Sequence, residues 1–301
     1  MISSARKLFR PLNFTRKYFT RPFSSNMTPT IKHIPDKKLF VSEPDPRWFG
    51  NPSNDEFNPE WTNGNWLKSK FHFNFAEYRN PANPSFGVLR VMNDDLVQPH
   101  RGFGSHPHRD MEIITYIVQG ELTHEDSQGN KESLGRGSIQ FMSAGTGVVH
   151  SEFNHGDKPL RFIQTWINPS AYDLPVNYGS CTGSADKRKN QLQHLVSDVK
   201  NTAVETPVKI SQDANAYATE LDLGQKVTHE MPKGRQAYLV CLEGKVKVNG
   251  TELARHDACE ITGAGNIEIE ATDVEETEAG NVAHVLMFTM KEAPGSGRKD
   301  V

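Results

Sequence analysis

Residues 102–122 read GFGSHPHRDMEIITYIVQGEL and residues 143–152 read SAGTGVVHSE. The run from Glu112 to Val118 is rich in β-branched and aromatic residues and bounded by glycine-bearing segments, the pattern of a strand rather than a helix. On a strand, residues at i and i+2 point to the same face. His106 and His108 therefore form one same-face pair, and His150 and Glu152 form another. Two strands that each offer two ligands can converge on one ion.

Working outward, further short β-rich runs fall at 87–92, 122–125, 139–142, 148–153 and 160–167, separated by turns such as Asp126-Ser127-Gln128-Gly129-Asn130. Their spacing predicts an all-β, jelly-roll-like barrel. The alternation Phe71-His72-Phe73-Asn74-Phe75 predicts a half-buried strand near its start. Strand patterning fades over 169–204, where residues 191–199 read as a helical turn or a strand, and resumes over 208–290. A weak repeat aligns Tyr116 to Gly120 with Tyr238 to Gly244, and Met142 to Gly145 with Ile261 to Gly265. Two copies of one barrel follow: an N-terminal metal-binding domain over 66–168, a connection over 169–204 and a C-terminal domain over 205–291. Residues 24–65 read as an extended lead-in and 292–301 as a flexible tail.

The first 35 residues lack Asp and Glu, while six Lys and Arg residues alternate with apolar ones up to Arg21. This is the composition of a mitochondrial presequence, with cleavage expected after Phe23 and initiation at Met27 giving a cytosolic form. Removing that segment would take the formal net charge from -3 to -9, which argues against direct nucleic-acid binding. Lys187-Arg188-Lys189 reads as a solvated loop. No apolar run reaches the roughly 18 residues of a membrane helix, so no membrane role is expected. Cys181, Cys241 and Cys259 are few and scattered, which predicts reduced thiols.

His106, His108, His150 and Glu152 offer nitrogen and oxygen donors suited to Fe(II) or another divalent transition ion and leave two positions of an octahedron open. Glu112 admits two readings, as the carboxylate ligand or as a residue that orients a ligand histidine through a hydrogen bond. The i+2 relation to His150 favours Glu152 as ligand and leaves Glu112 the supporting role. His100, His124 and His155 read as exposed or turn residues. Gly102, Gly104, Gly145 and Gly147 mark either close backbone approach or plain turns. The second copy holds only His229, His256 and His284, with neither H-x-H nor H-x-E, so it is expected to be metal-free.

The segments GFGSHPHRDMEIITYIVQGEL, HEDSQGN and MSAGTGVVHSEFN resemble the signature of the pirin family of bicupin proteins, and FNFAEYRNP and FGVLRVMNDD are similar to its bacterial branch. The resemblance implies two cupin barrels packed face to face, with iron in the first on His106, His108, His150 and Glu152. It implies one of two functions. One is quercetin 2,3-dioxygenase activity on a flavonol and dioxygen, with Glu152 taking the substrate's hydroxyl proton. The other is a non-enzymatic, iron-dependent, redox-sensitive transcriptional co-regulator that binds protein partners. A ligand site of the first kind calls for a cavity of about 300 Å³ or more.

Overall fold

The computed structural model describes residues 28–45, 47–51 and 65–292. The expected presequence 1–23 lies outside these residues, as do parts of the lead-in and all but the first residue of the tail. The strands run β1 (Thr30–Ile34), β2 (Phe40–Ser42), β3 (Leu67–Phe71), β4 (Leu89–Val97), β5 (Arg101–His108), β6 (Glu112–Gln119), β7 (Leu122–Asp126), β8 (Lys131–Leu134), β9 (Ile139–Ser143), β10 (Val148–Asn154), β11 (Leu160–Ile167) and β12 (Asn177–Cys181). After a four-residue helix α1 (Ala185–Arg188) come β13 (Gln193–Asp198), β14 (Val208–Ile210), β15 (Ala214–Leu221), β16 (Lys226–Met231), β17 (Arg235–Glu243), β18 (Lys245–Val248), β19 (Thr251–Ala254), β20 (Ala258–Thr262), β21 (Gly265–Asp273), β22 (Glu275–Thr277) and β23 (Gly280–Lys291).

Each half is a large sheet facing a four-stranded one. In the first barrel the order β12-β9-β6-β11-β4-β3-β2 faces β5-β10-β7-β8. In the second, β1-β20-β17-β23-β15-β13-β14 faces β16-β21-β18-β19. Central strands of the large sheets, such as β6 and β17, are buried on both faces. One face fills its own barrel, as Leu239 and Cys241 do. The other meets the opposite barrel, where Ile114, Val118, Ile163, Val240, Leu286 and Phe288 join one buried cluster. Each such fully buried side chain contributes about 1.5–3 kcal/mol, so the face-to-face packing is a true core.

Strand pairing gives the correspondence between the barrels. Gly120 and Gly244 both turn the chain out of the central strand with positive φ. A bulge follows the same register in both, between Arg161 and Phe162 in one and at Cys241 and Glu243 in the other. Tyr116 thus corresponds to Val240 and not to Tyr238, a two-residue correction to the repeat read from sequence. Met142 and Ile261 do correspond, lying opposite Ile113 and Ala237. The two tyrosines nonetheless do similar work: Tyr116 meets His284 Nε2 at 2.8 Å and Tyr238 meets His72 Nδ1 at 3.0 Å, each across the seam.

Four expectations need correction. The strand near the domain start is Leu67–Phe71 and ends before His72, which turns inward to Tyr238. The lead-in is woven into both barrels: β1 pairs with β20 and β2 pairs with β3. The connection supplies strands to both, β12 at the edge against β9 and, within the 191–199 stretch where a helical turn or a strand was expected, β13 between β15 and β14. Arg188 is not solvated but 2% exposed, drawn in by Glu220 at 3.1 Å. The three cysteines are free thiols, and burial pushes Cys241 up to about 12. No described helix is long and apolar enough to cross a membrane.

Candidate metal centre

β5 and β10 lie antiparallel with His150 directly opposite His106 and Val148 opposite His108. The register then slips, so that Glu152 faces Phe103. The extra residue falls in β5 at Gly104–Ser105, ahead of the H-x-H pair, and both histidine pairs keep their shared faces. Gly104 also admits the Phe49 backbone beside the strand, since a Cβ there would sit 2.8 Å from the Phe49 carbonyl.

The three imidazoles form a near-equilateral cluster, with centroids 4.8 Å apart for His106 and His108, 4.5 Å for His106 and His150, and 4.8 Å for His108 and His150. Their ligand atoms lie within 4.8 Å of one another. Glu152 groups within the same distance with His150 and His124, so His150 is the member common to both sets. Burial holds the rings neutral, pushing His108 down to about 4 and His150 down to about 2, with the neighbouring imidazoles adding to the effect.

One hydrogen bond fixes which nitrogen of His106 carries the proton. His106 Nδ1 lies 2.7 Å from the Gly104 carbonyl, which can only accept, so His106 Nε2 bears a lone pair. Gln140 Nε2 donates to His124 Nδ1 at 3.3 Å and occupies its one lone pair, so the 3.5 Å approach of His150 Nδ1 to the same atom does not fix the His150 tautomer. The Nε2 atoms of His106 and His150 face each other at 3.1 Å. Without an ion, a proton on His150 Nε2 makes this contact a hydrogen bond to His106 Nε2, and two cis ligands of an octahedral ion with bonds of about 2.1 Å stand roughly 3.0 Å apart in the same way. The donor set therefore fits a divalent transition ion between them.

Glu152, 3% exposed, accepts from Thr115 Oγ1 at 3.0 Å, Gln140 Nε2 at 3.1 Å and Gln164 Nε2 at 2.7 Å. Burial raises it to about 7 even though these bonds favour the carboxylate. Glu112 does not play the part expected of it. Its carboxylate accepts from Ser143 Oγ and from the Ser211 hydroxyl and N–H, and bonds no histidine among the described residues. It ties the first barrel to the start of the second.

His124 is a second correction. It is wholly buried, lies opposite Glu152 on β7 and stacks on Tyr178 at 4.7 Å. The signal was in the sequence: Leu122, His124 and Asp126 alternate with exposed Glu125. His100 is a positive-φ turn residue and His155 is exposed, as expected.

Above the rings lies a cavity of about 190 Å³, smaller than expected, walled by Phe49, Phe103 and Trp166 beside Glu152 and Gln164. Phe49 approaches His106 edge-on at 5.4 Å from a left-handed backbone (φ 57) that a bulky residue rarely adopts. Asn51 secures that segment by bonding both the carbonyl and the N–H of Gly102, at 2.8 and 3.1 Å. Sequence reading missed two further wall residues, Trp66 and Asn93, whose Nε1 and Oδ1 are buried without partners. Asp95, also in the wall, is raised by burial to about 8.

The pirin family profile matches residues 55–167, and the quercetinase C-terminal cupin domain profile matches residues 196–290. A pirin-like protein of Caulobacter vibrioides is 39% identical over 208 residues, 69% of this chain and 89% of its own length. Quercetin 2,3-dioxygenase of Escherichia coli K12 is 35% identical over 210 residues, 69% of this chain and 88% of its own. Among solved structures, Escherichia coli YhhW superposes with a TM-score of 0.72 at 29% identity, covering 88% of this chain and 99% of that one. The same bacterial pirin has been solved in complex with nickel(II), with a TM-score of 0.70 at 29% identity and covering 88% of this chain and all of that one. By its two profiles, its relatives and its paired barrels, the chain belongs to the pirin family of bicupin proteins.

Proposed function

We propose that the first barrel holds a divalent transition ion, Fe(II) foremost, on His106, His108, His150 and Glu152, and uses it to oxygenate a flavonol-type phenol. The observation that carries this is the cluster of three imidazoles, with the Nε2 atoms of His106 and His150 facing each other at 3.1 Å, beneath an aromatic cavity. The Escherichia coli relative named quercetin 2,3-dioxygenase supports the reaction class. When bound, the ion supplies Lewis acidity and open positions for substrate and dioxygen.

The chain's own residues do the rest. Glu152, raised to about 7, is poised to take a hydroxyl proton near neutral pH, and Thr115, Gln140 and Gln164 hold its carboxylate. Phe49, Phe103 and Trp166 exclude water and present edges to an aromatic ring. Trp66 Nε1 and Asn93 Oδ1 offer one free donor and one free acceptor, the complement of a hydroxylated ligand. The cavity of about 190 Å³ takes one ring of a flavonol, with the remainder lying toward Trp48, which is 53% exposed. Residues 1–23 direct this protein to mitochondria in the same reading; diffuse cytosolic fluorescence from a fusion beginning at Met1 would rule that out.

Quercetin and dioxygen added to the Fe(II)-loaded protein test the activity. Loss of flavonol absorbance coupled to oxygen uptake is expected, and it should vanish in His150→Ala. A fully loaded site, verified by metal analysis, that turns nothing over would overturn the oxygenase reading, and a protein partner that co-purifies would favour the co-regulator.

A further inference from the structure

The seams on the two sides of the barrel interface are comparable residue for residue through strand pairing. On one seam Glu220 of β15 stands opposite His284 of β23. The same place on the other seam, opposite Arg161 of β11, belongs to Leu96 of β4. Arg136 precedes β9 by three residues, as Arg255 precedes β20.

Around Glu220 the first seam is closed. Arg136 reaches its Oε1 at 2.9 Å and Arg188 at 3.1 Å, all three side chains at most 8% exposed. Around Leu96 the second seam is open, with a cavity of about 130 Å³ walled by Lys68, Lys70, Arg161, Arg255 and His256. Asp94 is the one carboxylate in that wall, and it is committed. Arg161 grips it with two bonds of 2.8 and 2.7 Å, and His256 Nδ1 lies 2.7 Å from Oδ2. Lys70 pairs with Asp36 and Arg255 with Glu275, both carboxylates outside the wall. The Lys68 side chain forms no ion pair or hydrogen bond among the described residues, and Arg255 Nε is buried without a partner. With every nearby carboxylate assigned, an ammonium and a guanidinium N–H remain beside a void. The twin seam keeps a carboxylate in that place.

We propose that this cavity binds a small oxyanion, the carboxylate or phosphate group of a metabolite or the free ion, in the position that Glu220 fills on the other seam. Lys68 comes from the first barrel and Arg255 from the second, so the anion bridges the two. Charge-assisted bonds from two directions into a partly desolvated pocket are the strong kind, and the cavity has room for one such group.

Calorimetric titration of the full chain with inorganic phosphate, and separately with acetate, tests the site, with ionic strength held constant by sodium chloride. Saturable one-to-one binding of at least one of them is expected, and the tighter binder identifies the headgroup class. Lys68→Ala and Arg255→Gln should each weaken it about tenfold or more, with the metal content of the first barrel unchanged. Leu96→Glu should abolish binding and raise the heat-unfolding midpoint in the absence of anion, by supplying the missing carboxylate in place. No saturable binding of either anion, or binding unchanged in both Lys68→Ala and Arg255→Gln, would overturn the proposal. If Leu96→Glu does not fold, those two variants decide it.

Discussion

The two barrels share one strand plan and differ in what lines them. In the first, Thr115 faces Gln140 and Gln164 across its neighbouring strands, and Glu152 faces His124. At the same registers the second has Leu239 facing Cys259 and Met287, and Ile269 facing Val248. His150 becomes Ile267, all of it one continuous apolar cluster. The first barrel's apolar lining is instead split into two patches, one around Phe162 and Trp66, the other around Ile113 and Val148. The difference shows that the fold does not create the site. About half a dozen polar substitutions hollow one barrel, and their hydrogen bonds to one another offset the apolar contact given up.

Making the first barrel resemble the second should therefore erase its chemistry in graded steps. His150→Ile, copying Ile267, should lower metal affinity by more than about a hundredfold, measured by metal analysis after dialysis. Unchanged occupancy would defeat the ligand assignment. Gln164→Met, copying Met287, removes the 2.7 Å bond to Glu152 and should cost about 10–100-fold in affinity.

Acid should act on the unmutated site in a defined direction. Glu152 sits near 7 against an ordinary value of 4.5, so in the metal-free fold it keeps a proton that the unfolded chain has released. From this group alone, metal-free stability falls as pH rises from about 4.5 to 7. Metal binding needs the carboxylate, so apparent affinity should drop about tenfold per pH unit below 7 and level off above it. The histidines compete only in stronger acid, since burial holds them below their ordinary value. A binding titration between pH 5 and 8 that shows no slope would separate Glu152 from the site. Smallest of all, His229→Ala should leave metal content and turnover unchanged and stability within about 0.5 kcal/mol. His229 occupies the register of His106 but meets Ile267 where His106 meets His150.

What the sequence made legible follows from how local each signal was. The H-x-H pair and His150 needed only the two-residue period of a strand, and their three rings lie together, while Glu152 groups with His150 and His124. His124 obeys the same period, and its burial is legible only together with Leu122 and Asp126. Glu112 could not be placed from its neighbourhood, because its partner Ser211 lies 99 residues away. The burial of Arg188 depends in the same way on Glu220, a partner from a strand not yet in view. Period reveals which face a residue takes, and only topology reveals what waits there.

The first strand of the described chain carries a consequence for how the molecule is made. Lys32 of β1 meets Glu260, 228 residues further on, and the whole of β1 is an edge of the second barrel. At roughly 5–20 residues per second of synthesis, β1 leaves the ribosome on the order of ten seconds or more before β20 exists. The first barrel has its own strands by then and can close early. The second barrel completes its edge only by recovering the oldest part of the chain, so its assembly is the late step, and a chaperone that covers β1 in the interval would time the finish.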